Sequence, residues 1–374
     1  MAGIHPYITN YEPKSYADPM PVDCLLDCSL GVNQSPFPEA ILKMLETTPQ
    51  SLIKQYPHHE GVIGAIVDIY ASIAAISAEN ICIGNGSYDL LQGINLLYLA
   101  PGKTVFSCVP HFSAYTDHIR CLGARYIYTS LMPEENYRMD TIRFITEMRR
   151  SGADLVFLEN PNNPTGQTLA DGETAEIIKE AERMGAAVIV DEAYGDYMDL
   201  SRSAVRHVGR HKNLFVTRSL SKGYGMAGIR FGYSAADPYA TTQLKKIITP
   251  FNCNAHARRL AEEIFRIGDY RQALIERTRE KKKILLDFLA ENPVIRSAHT
   301  DENTPVMLLY TENRAINLHG ALREAGIASV SGGSFDGLGQ NAVRIMIPED
   351  TTLLIKLLRE VVKKLPSQNP NRKK

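Results

Sequence analysis

The 374-residue sequence lacks any apolar run approaching the roughly 20 residues that span a bilayer, so no membrane-spanning helix is predicted. It also lacks an excess of charge of either sign. The formal net charge of −1 gives no long-range attraction for nucleic acid or for an anionic membrane. Residues 1–11 do not have the basic-then-apolar order of a secretory signal. A cytoplasmic protein without nucleic-acid or membrane partners is therefore expected.

Paired metal ligands are also lacking. Cys24 and Cys28 have a spacing that could serve a metal, but no second Cys or His pair follows at a suitable spacing. We therefore predict no metal site, and free thiols in a reducing compartment. The remaining cysteines are scattered, mostly in apolar stretches: Cys82, Cys108, Cys121 and Cys253.

Short apolar runs alternate with helical patterns, such as 88–99 and 172–183, through the middle of the chain. Runs that are apolar throughout are typical of strands buried on both faces of a sheet. Such alternation predicts an α/β fold class, with a large domain built on a mostly parallel, seven-stranded sheet whose ligands bind beyond the carboxyl ends of the strands. The predicted strands are 81–83, 104–108, 125–128, 155–158, 187–190, 214–217 and 231–234.

A second, smaller α+β domain is predicted after a helical stretch at 239–289. Strand patterns at 306–310 and 342–347 alternate there with helical patterns at 315–324 and 350–365. The chain is accordingly divided into an N-terminal segment that packs with the small domain, a large domain, the small domain, and a polar tail expected to be disordered. These four parts are 1–55, 56–250, 251–365 and 366–374.

Lys222 follows the strand at 214–217, in the sequence Ser219-Leu220-Ser221-Lys222. A lysine that forms a Schiff base must lose its proton, and cationic neighbours and burial both favour that loss. Ser219, Ser221 and Arg230 together offer hydroxyl donors and a fixed cation, a combination that suits a phosphate. Taken alone, a lysine beside serines is more often an ordinary surface residue.

Asp191 ends the apolar strand at 187–190. A buried acid is costly unless it is paired, and a protonated pyridine nitrogen would be a suitable partner. Metal binding and helix capping are the alternatives for this residue.

Two glycine-containing turns follow other strands. Residues 160–166 form a turn whose Asn163 amide could donate to a phenolate oxygen, and 84–87 open a helix whose N-terminus could bind a phosphate. Each could equally be a plain turn.

Residues 223–228 match G-x-G-x-x-G, but they do not open a helix in a first βαβ unit, so a dinucleotide site is not predicted.

Taken in order, the motifs GNGS, PHFSAY, ENPNNPTG, VIVDEAYGDY, TRSLSKGYGMAGIRFGY and AVRIMIP resemble those of the fold-type I, class I/II aminotransferases. These enzymes depend on pyridoxal 5′-phosphate (PLP). The resemblance is strongest to the branch of histidinol-phosphate aminotransferase and threonine-phosphate decarboxylase, and it covers roughly 25–350. It implies an aspartate-aminotransferase-like fold, PLP as cofactor, and a homodimer with shared active sites.

The resemblance also implies a role for individual residues. Lys222 matches the lysine that carries PLP and moves protons, and Asp191 matches the carboxylate that pairs with the ring nitrogen. Arg344 matches the arginine that binds the substrate α-carboxylate. Further substrate contacts are expected from Gly31, Asn33 and Asn163. The remaining cofactor contacts are Tyr194 and Asn163 at the ring oxygen, Phe112 stacked on the ring, Gly86, Ser87, Ser219, Ser221 and Arg230 at the phosphate, and Tyr56 reaching the neighbouring subunit's cofactor.

The sequence departs from the resembling enzymes where a substrate would bind. Val330 stands where enzymes of this branch that act on phosphorylated substrates have an arginine, and an apolar side chain cannot hold a dianion. The loop 31–36 and the pair 88–89 also differ. We therefore expect an unphosphorylated amino acid, and acidic residues near the N-terminus could recognise a basic, arginine-derived one: Glu12, Asp18 and Asp23.

Three functions are compatible with these features. The first is amino transfer between an α-amino acid and a 2-oxo acid. The second is a PLP-dependent elimination, cyclisation or decarboxylation of a specialised amino acid. The third is a regulator that uses the fold only for binding, but the chain has neither the spare length nor the basic patch for an added DNA-binding module. Amino transfer is the function we predict.

Overall fold

The computed structural model describes residues 3–9 and 24–366. The strands are β1 (Leu26–Asp27), β2 (Ile81–Gly84), β3 (Thr104–Val109), β4 (Arg125–Ser130), β5 (Leu155–Glu159), β6 (Ala187–Asp191), β7 (Leu214–Ser219), β8 (Gly232–Ala236), β9 (Arg296–Ser297), β10 (Val306–Tyr310), β11 (Ile327–Ala328), β12 (Val330–Ser331) and β13 (Ala342–Met346). The helices are α1 (Pro6–Thr9), α2 (Glu39–Glu46), α3 (Gln50–Ile53), α4 (Glu60–Tyr70), α5 (Ser87–Tyr98), α6 (Ser113–Cys121), α7 (Thr141–Ser151), α8 (Asp171–Met184), α9 (Pro238–Lys245), α10 (Ala255–Arg266), α11 (Tyr270–Glu291), α12 (Leu318–Glu324) and α13 (Thr351–Lys364).

Strands β2 to β8 form a seven-stranded sheet in the order β2-β8-β7-β6-β5-β3-β4. The sheet is parallel except for β8, which pairs antiparallel with both β2 and β7. Every residue of β2, β3, β5, β6, β7 and β8 is buried, as expected where helices cover both faces of a sheet. The predicted fold class and all seven predicted strands are confirmed, with strand ends shifted by one or two residues.

The central parallel strands end side by side at one edge of this sheet. Glu159 pairs in register with Asp191, and Asp191 pairs in register with Thr217. Side chains that follow or end these strands therefore meet above the same edge, and α5 begins there just after β2.

A second sheet, β12-β13-β10-β9, is antiparallel and lies in a smaller α+β unit. Residues 26–28 attach to this unit, because β1 pairs with β11 and Cys28 belongs to the core of the smaller unit. Helix α10 instead packs on α4 within the large core. The predicted domain boundaries stay a prediction. Strands β10 and β13 share their core with α11, α12 and α13 through Leu285, Leu289, Met307, Leu309, Leu322, Ile345 and Leu358.

The helical stretch predicted at 239–289 is three helices rather than one. Phe251 and Cys253 between α9 and α10 have φ values of 56° and 54°, which no right-handed helix allows. The Asn254 side chain then accepts a hydrogen bond from the Ala257 amide and begins α10. The apolar residues on both sides of this break follow the spacing of a helix, so the sequence alone did not predict the break.

Residues 3–9 and 24–366 contain no helix long and apolar enough to cross a bilayer. In the same residues, no cluster of three or more His, Cys, Asp or Glu side chains could hold a metal ion, and no cysteine forms a disulfide. The predicted disordered tail lies outside the described residues, apart from Pro366.

The loop 298–305, between β9 and β10, docks onto the turn that follows β5. The Asp301 amide donates to the Gly166 carbonyl at 3.0 Å, and the Asp301 carboxylate accepts from the Thr168 hydroxyl at 2.7 Å. Lys282, buried on α11, donates to three oxygens of the same loop at 2.6, 2.6 and 2.7 Å. The smaller unit therefore holds the turn after β5 in a fixed position.

Gly166 tests this docking. Its φ of +73° disfavours any β-carbon, and a β-carbon there would also overlap the Val306 carbonyl. We expect Gly166→Ala to cost about 2–4 kcal/mol of unfolding free energy, measured by urea denaturation. Gly152→Ala is the matched control because its φ is +61° and nothing lies within 4 Å of an added β-carbon. Equal losses in the two variants would contradict the docking.

Candidate active site

The site lies above the carboxyl ends of β5, β6 and β7. A cavity of about 180 Å³ opens there, and predicted ligand-binding residues from five separate stretches of sequence line it. Strand ends and the first turns beyond them supply these residues, which is why residues far apart in the chain meet. The predicted residues in its lining are Ser87, Phe112, Asn163, Asp191, Tyr194, Ser219, Ser221, Lys222 and Arg230.

One end of the cavity is built to receive an anion. Gly86 has φ +84° and precedes α5, whose first amides have no side-chain cap. A β-carbon at Gly86 would overlap the Arg230 guanidinium, so only glycine lets these groups approach. Ser221 accepts from Arg230 at 3.3 Å, and the Ser219 hydroxyl donates to the Ser221 hydroxyl at 2.9 Å. Helix amides, hydroxyls and a guanidinium together fit a phosphate group.

Asp191 lies on the floor of the cavity with 4% of its surface exposed. Its Oδ1 accepts from the Thr217 hydroxyl at 2.9 Å and from the Ala193 amide at 3.2 Å. Burial raises the pKa of Asp191 to about 6, although these two bonds and the charge of Lys222 act in the opposite direction. A buried carboxyl group in this state gains most from a cationic partner, which a protonated ring nitrogen supplies.

Lys222, Tyr194 and Arg344 meet around the main chain of Gly31. The Lys222 Nζ lies 5.5 Å from the centre of the Tyr194 ring, and the Tyr194 hydroxyl donates to the Gly31 carbonyl at 3.3 Å. A β-carbon at Gly31 would lie 3.0 Å from Arg344 Nη1 and 3.2 Å from Lys222 Nζ. The missing side chain therefore leaves an amine and a guanidinium facing the same small space.

Two buried polar atoms at this site have no hydrogen-bond partner among the described residues. They are Oδ1 of Asn163 and Nε of Arg344. Unsatisfied buried polar atoms are rare, and at a cavity they indicate groups left for a ligand. Arg344 is also held by a hydrogen bond from Nη2 to the Ser29 carbonyl. Phosphate cradle, buried acid and amine together fit the parts of PLP, and Arg344 fits a carboxylate beside it.

Five predicted site residues do not line this cavity: Gly31, Gly86 and Arg344, whose contacts are given above, and Asn33 and Tyr56. The Asn33 amide donates to the Gly223 carbonyl at 3.0 Å and to the Tyr270 hydroxyl at 3.2 Å, so it holds its own loop in place. Tyr56 is 72% exposed and packs against Phe251, with ring centres 4.5 Å apart and ring planes tilted by 31°. The roles predicted for these two residues stay predictions. Glu12, Asp18 and Asp23 lie outside the described residues.

Glu159 lines the same cavity, and the sequence motifs did not single it out. It ends β5 beside Asp191, and its carboxylate accepts from the amides of Phe112 at 3.2 Å and Asn163 at 3.1 Å. Burial, and then the charge of Asp191, raise the pKa of Glu159 well above its ordinary range. The signal that pointed to Asp191, an acid at the end of an apolar strand, was also present at Glu159.

Comparison with known proteins agrees with this geometry. The family model described as "Aminotransferase class I and II" matches residues 27–361. The histidinol-phosphate aminotransferase of Caldanaerobacter subterraneus subsp. tengcongensis is 29% identical over 338 residues, 89% of this chain and 92% of that protein. A putative threonine-phosphate decarboxylase of the same organism is 32% identical over 212 residues, 56% of this chain and 56% of that protein.

Solved structures share the fold. Histidinol-phosphate aminotransferase from Sinorhizobium meliloti, solved in complex with pyridoxal-5′-phosphate, has a TM-score of 0.80 at 19% identity, covering 98% of this chain and 99% of the other. Aspartate aminotransferase from Thermus thermophilus with maleate has a TM-score of 0.81 at 18% identity, covering 98% and 100%. The predicted aspartate-aminotransferase-like fold is therefore confirmed.

The burial of Asp191 predicts how the stability of the cofactor-free protein depends on pH. The folded-state pKa of about 6 lies above the ordinary 3.8, so the unfolded chain binds fewer protons between these values and stability falls as the pH rises through that window. Asp191→Asn keeps the Oδ1 acceptor but cannot ionise. We expect its stability relative to wild type to rise by up to about 3 kcal/mol between pH 4 and pH 7.

Urea denaturation of both cofactor-free proteins across this range measures the difference. Asp68→Asn, at an exposed position on α4, controls for the loss of one carboxyl group. A stability difference between Asp191→Asn and wild type that stays constant across this pH range would show that the pKa of Asp191 is not raised in the folded protein.

Proposed function

The chain belongs to the aminotransferase class I and II family of PLP-dependent transferases, and on this premise we propose that it transfers the amino group of an unphosphorylated α-amino acid to a 2-oxo acid. The observation that carries the proposal is the meeting, in one cavity, of an amine, a buried acid and an anion cradle, with a guanidinium beside them.

Bound PLP supplies an electron-accepting ring, and the rest of the chemistry falls to the residues around it. Lys222 is the covalent attachment point for the cofactor aldehyde and the base that moves a proton at the substrate Cα. Asp191 keeps the ring nitrogen protonated, since its buried carboxylate is most stable beside a cation. Ser219, Ser221 and Arg230 hold the phosphate.

Arg344 orients the substrate by its α-carboxylate. Its guanidinium is fixed through the Ser29 carbonyl and retains an unpartnered Nε among the described residues, so a bidentate carboxylate can complete its hydrogen bonds. Arg344 Nη1 and Lys222 Nζ both lie close to the main chain of Gly31, which has no side chain to keep them apart. A carboxylate on Arg344 thus brings the adjacent Cα within reach of the Lys222 amine.

The proposal of an unphosphorylated substrate depends on Val330. Val330 lies on β12 and pairs in register with Arg344 on the neighbouring strand β13. An arginine at position 330 could reach a phosphate beside the bound carboxylate. A valine offers no donor there. The relative of the same family is named for a phosphorylated substrate, histidinol phosphate. We propose an unphosphorylated substrate for this chain.

A non-transaminating reaction is the second candidate. The similarity to a putative threonine-phosphate decarboxylase favours it, since the same cofactor site supports loss of CO₂ or of a leaving group. Such an enzyme would act by elimination, cyclisation or decarboxylation on a specialised amino acid, such as an arginine derivative.

We also propose a homodimer in a cytoplasmic setting. The Tyr56 and Phe251 rings pack against each other and are 72% and 60% exposed, an arrangement more typical of an interface than of free surface. Tyr56 would then reach the cofactor of the second subunit.

Borohydride reduction tests the central assignment. Reduction of the PLP-loaded protein followed by peptide mass spectrometry should place the pyridoxyl label on Lys222. Lys222→Ala should keep PLP in its phosphate cradle yet lose at least about a thousandfold in turnover, because the proton-transferring amine is gone. Lys212→Ala, an exposed lysine nearby in sequence, is the control. A label on any other lysine would refute the assignment.

A substrate panel tests the reaction and the substrate class. We expect amino acids to yield 2-oxo acids only when an oxo-acid acceptor is present, and L-histidinol phosphate not to react. Val330→Arg should raise kcat/KM for the phosphorylated compound at least about tenfold, while the apolar control Val330→Leu should not. Release of CO₂ or water without an acceptor would instead favour the second candidate.

A further inference from the structure

Glu159 is a buried carboxyl group at the cofactor site for which the proposed chemistry has no use. It is 8% exposed, it ends β5, and its in-register neighbour on β6 is Asp191. Residues paired in register on adjacent parallel strands direct their side chains to the same face of a sheet. Two carboxyl groups therefore lie side by side beneath the cavity, and only Asp191 is needed to pair with a ring nitrogen.

The contacts of Glu159 suggest its role. Oε1 accepts from the main-chain amide of Phe112 at 3.2 Å, and Oε2 accepts from the main-chain amide of Asn163 at 3.1 Å. These amides belong to two different loops, one between β3 and α6 and the other between β5 and α8. The two side chains that these loops carry, an aromatic ring and an amide, both line the cavity.

We propose that Glu159 is a positioning residue whose carboxylate joins these two loops and so fixes Phe112 against the face of the cofactor ring and Asn163 against its oxygen. This inference rests on the proposed function, because it assumes that PLP occupies the cavity. Glu159 itself accepts from these two main-chain amides and, at 3.5 Å, from the Asn162 side-chain amide, and it acts on the ring through Phe112 and Asn163.

Burial raises the pKa of Glu159, but the two main-chain amide bonds and the charge of Lys222 act in the opposite direction and favour the ionised form. A carboxylate therefore suits this task better than the neutral isostere. Two amide donors need two acceptor oxygens, and a glutamine side chain has only one. Its NH₂ group would face a second N–H, so one of the two amides would lose its partner. The fold itself does not depend on Glu159 alone, because the Asn162 amide also joins the two loops by donating to the Pro110 carbonyl at 3.1 Å.

The visible absorbance of the Lys222-linked cofactor reports the position of Asn163. An amide that donates to the ring oxygen draws negative charge from it and lowers the pH at which the linked nitrogen loses its proton. Displacing Asn163 should therefore raise that pH. Removing a negative charge near the ring would have the opposite effect, since the charge stabilises the protonated form. The direction of the shift thus separates positioning from a charge effect.

The test compares Glu159→Gln, Asn163→Ala and the double variant as loaded proteins. We expect Glu159→Gln to raise the transition pH by about half a unit or more and to weaken PLP binding by about tenfold, as expected for one lost buried hydrogen bond. In the Asn163→Ala background the spectral shift should largely disappear, because both changes act on the same contact. Glu180→Gln, a carboxylate that bonds Arg149 and Arg183 instead, should leave both values unchanged.

Three outcomes would overturn the proposal: no spectral shift, a shift to lower pH, or an equal shift with and without Asn163. Hydrogen exchange of the wild-type protein gives an independent measurement should Glu159→Gln fail to fold. Slow exchange at the amides of Phe112 and Asn163 supports the two bonds, and exchange at solvent rates contradicts them. Failure of the proposed function is recognised separately, since the wild type would then have no visible band linked to Lys222.

Discussion

A carboxyl group buried at the end of a strand is the constraint on which this site depends. Asp191 lies under the cavity with its charge only partly stabilised by a hydroxyl, an amide and the nearby Lys222. Such a group costs folding free energy in the absence of a cation and recovers that energy when a protonated ring nitrogen binds beside it. Under the proposed function, the bound cofactor would offset part of this cost.

The same constraint explains why the cofactor contacts converge. Parallel strands that end in register bring Glu159, Asp191 and Thr217 to one edge of the sheet, where the turn containing Lys222 also begins. Contacts from the smaller unit then fix the turn after β5 from the other side, through Asp301. The proposed substrate contact is arranged differently: Arg344 comes from the smaller unit, so both units contribute residues around Gly31.

The sequence predicted the large sheet well, because its strands are apolar runs short enough to be unambiguous and are separated by clear turn residues. Local signals also placed Asp191 at a buried strand end and brought Ser219, Ser221 and Arg230 together, while their roles stay predictions. The break at Phe251 was missed because helical period continues on both sides of it. The anchoring of Asn33 was missed because it depends on partners distant in sequence, which a local pattern does not contain. Glu159 carried the same local signal as Asp191, an acid at the end of an apolar strand, but the sequence motifs did not single it out.

The protonation of the cofactor ring tests the account most directly. With PLP labelled with ¹⁵N in the ring and bound to the protein, the nitrogen chemical shift distinguishes a protonated from a neutral pyridine. The pairing with Asp191 predicts a protonated nitrogen even at about pH 8, and loss of that proton in Asp191→Asn. A neutral ring nitrogen in the wild-type protein at that pH would contradict the account.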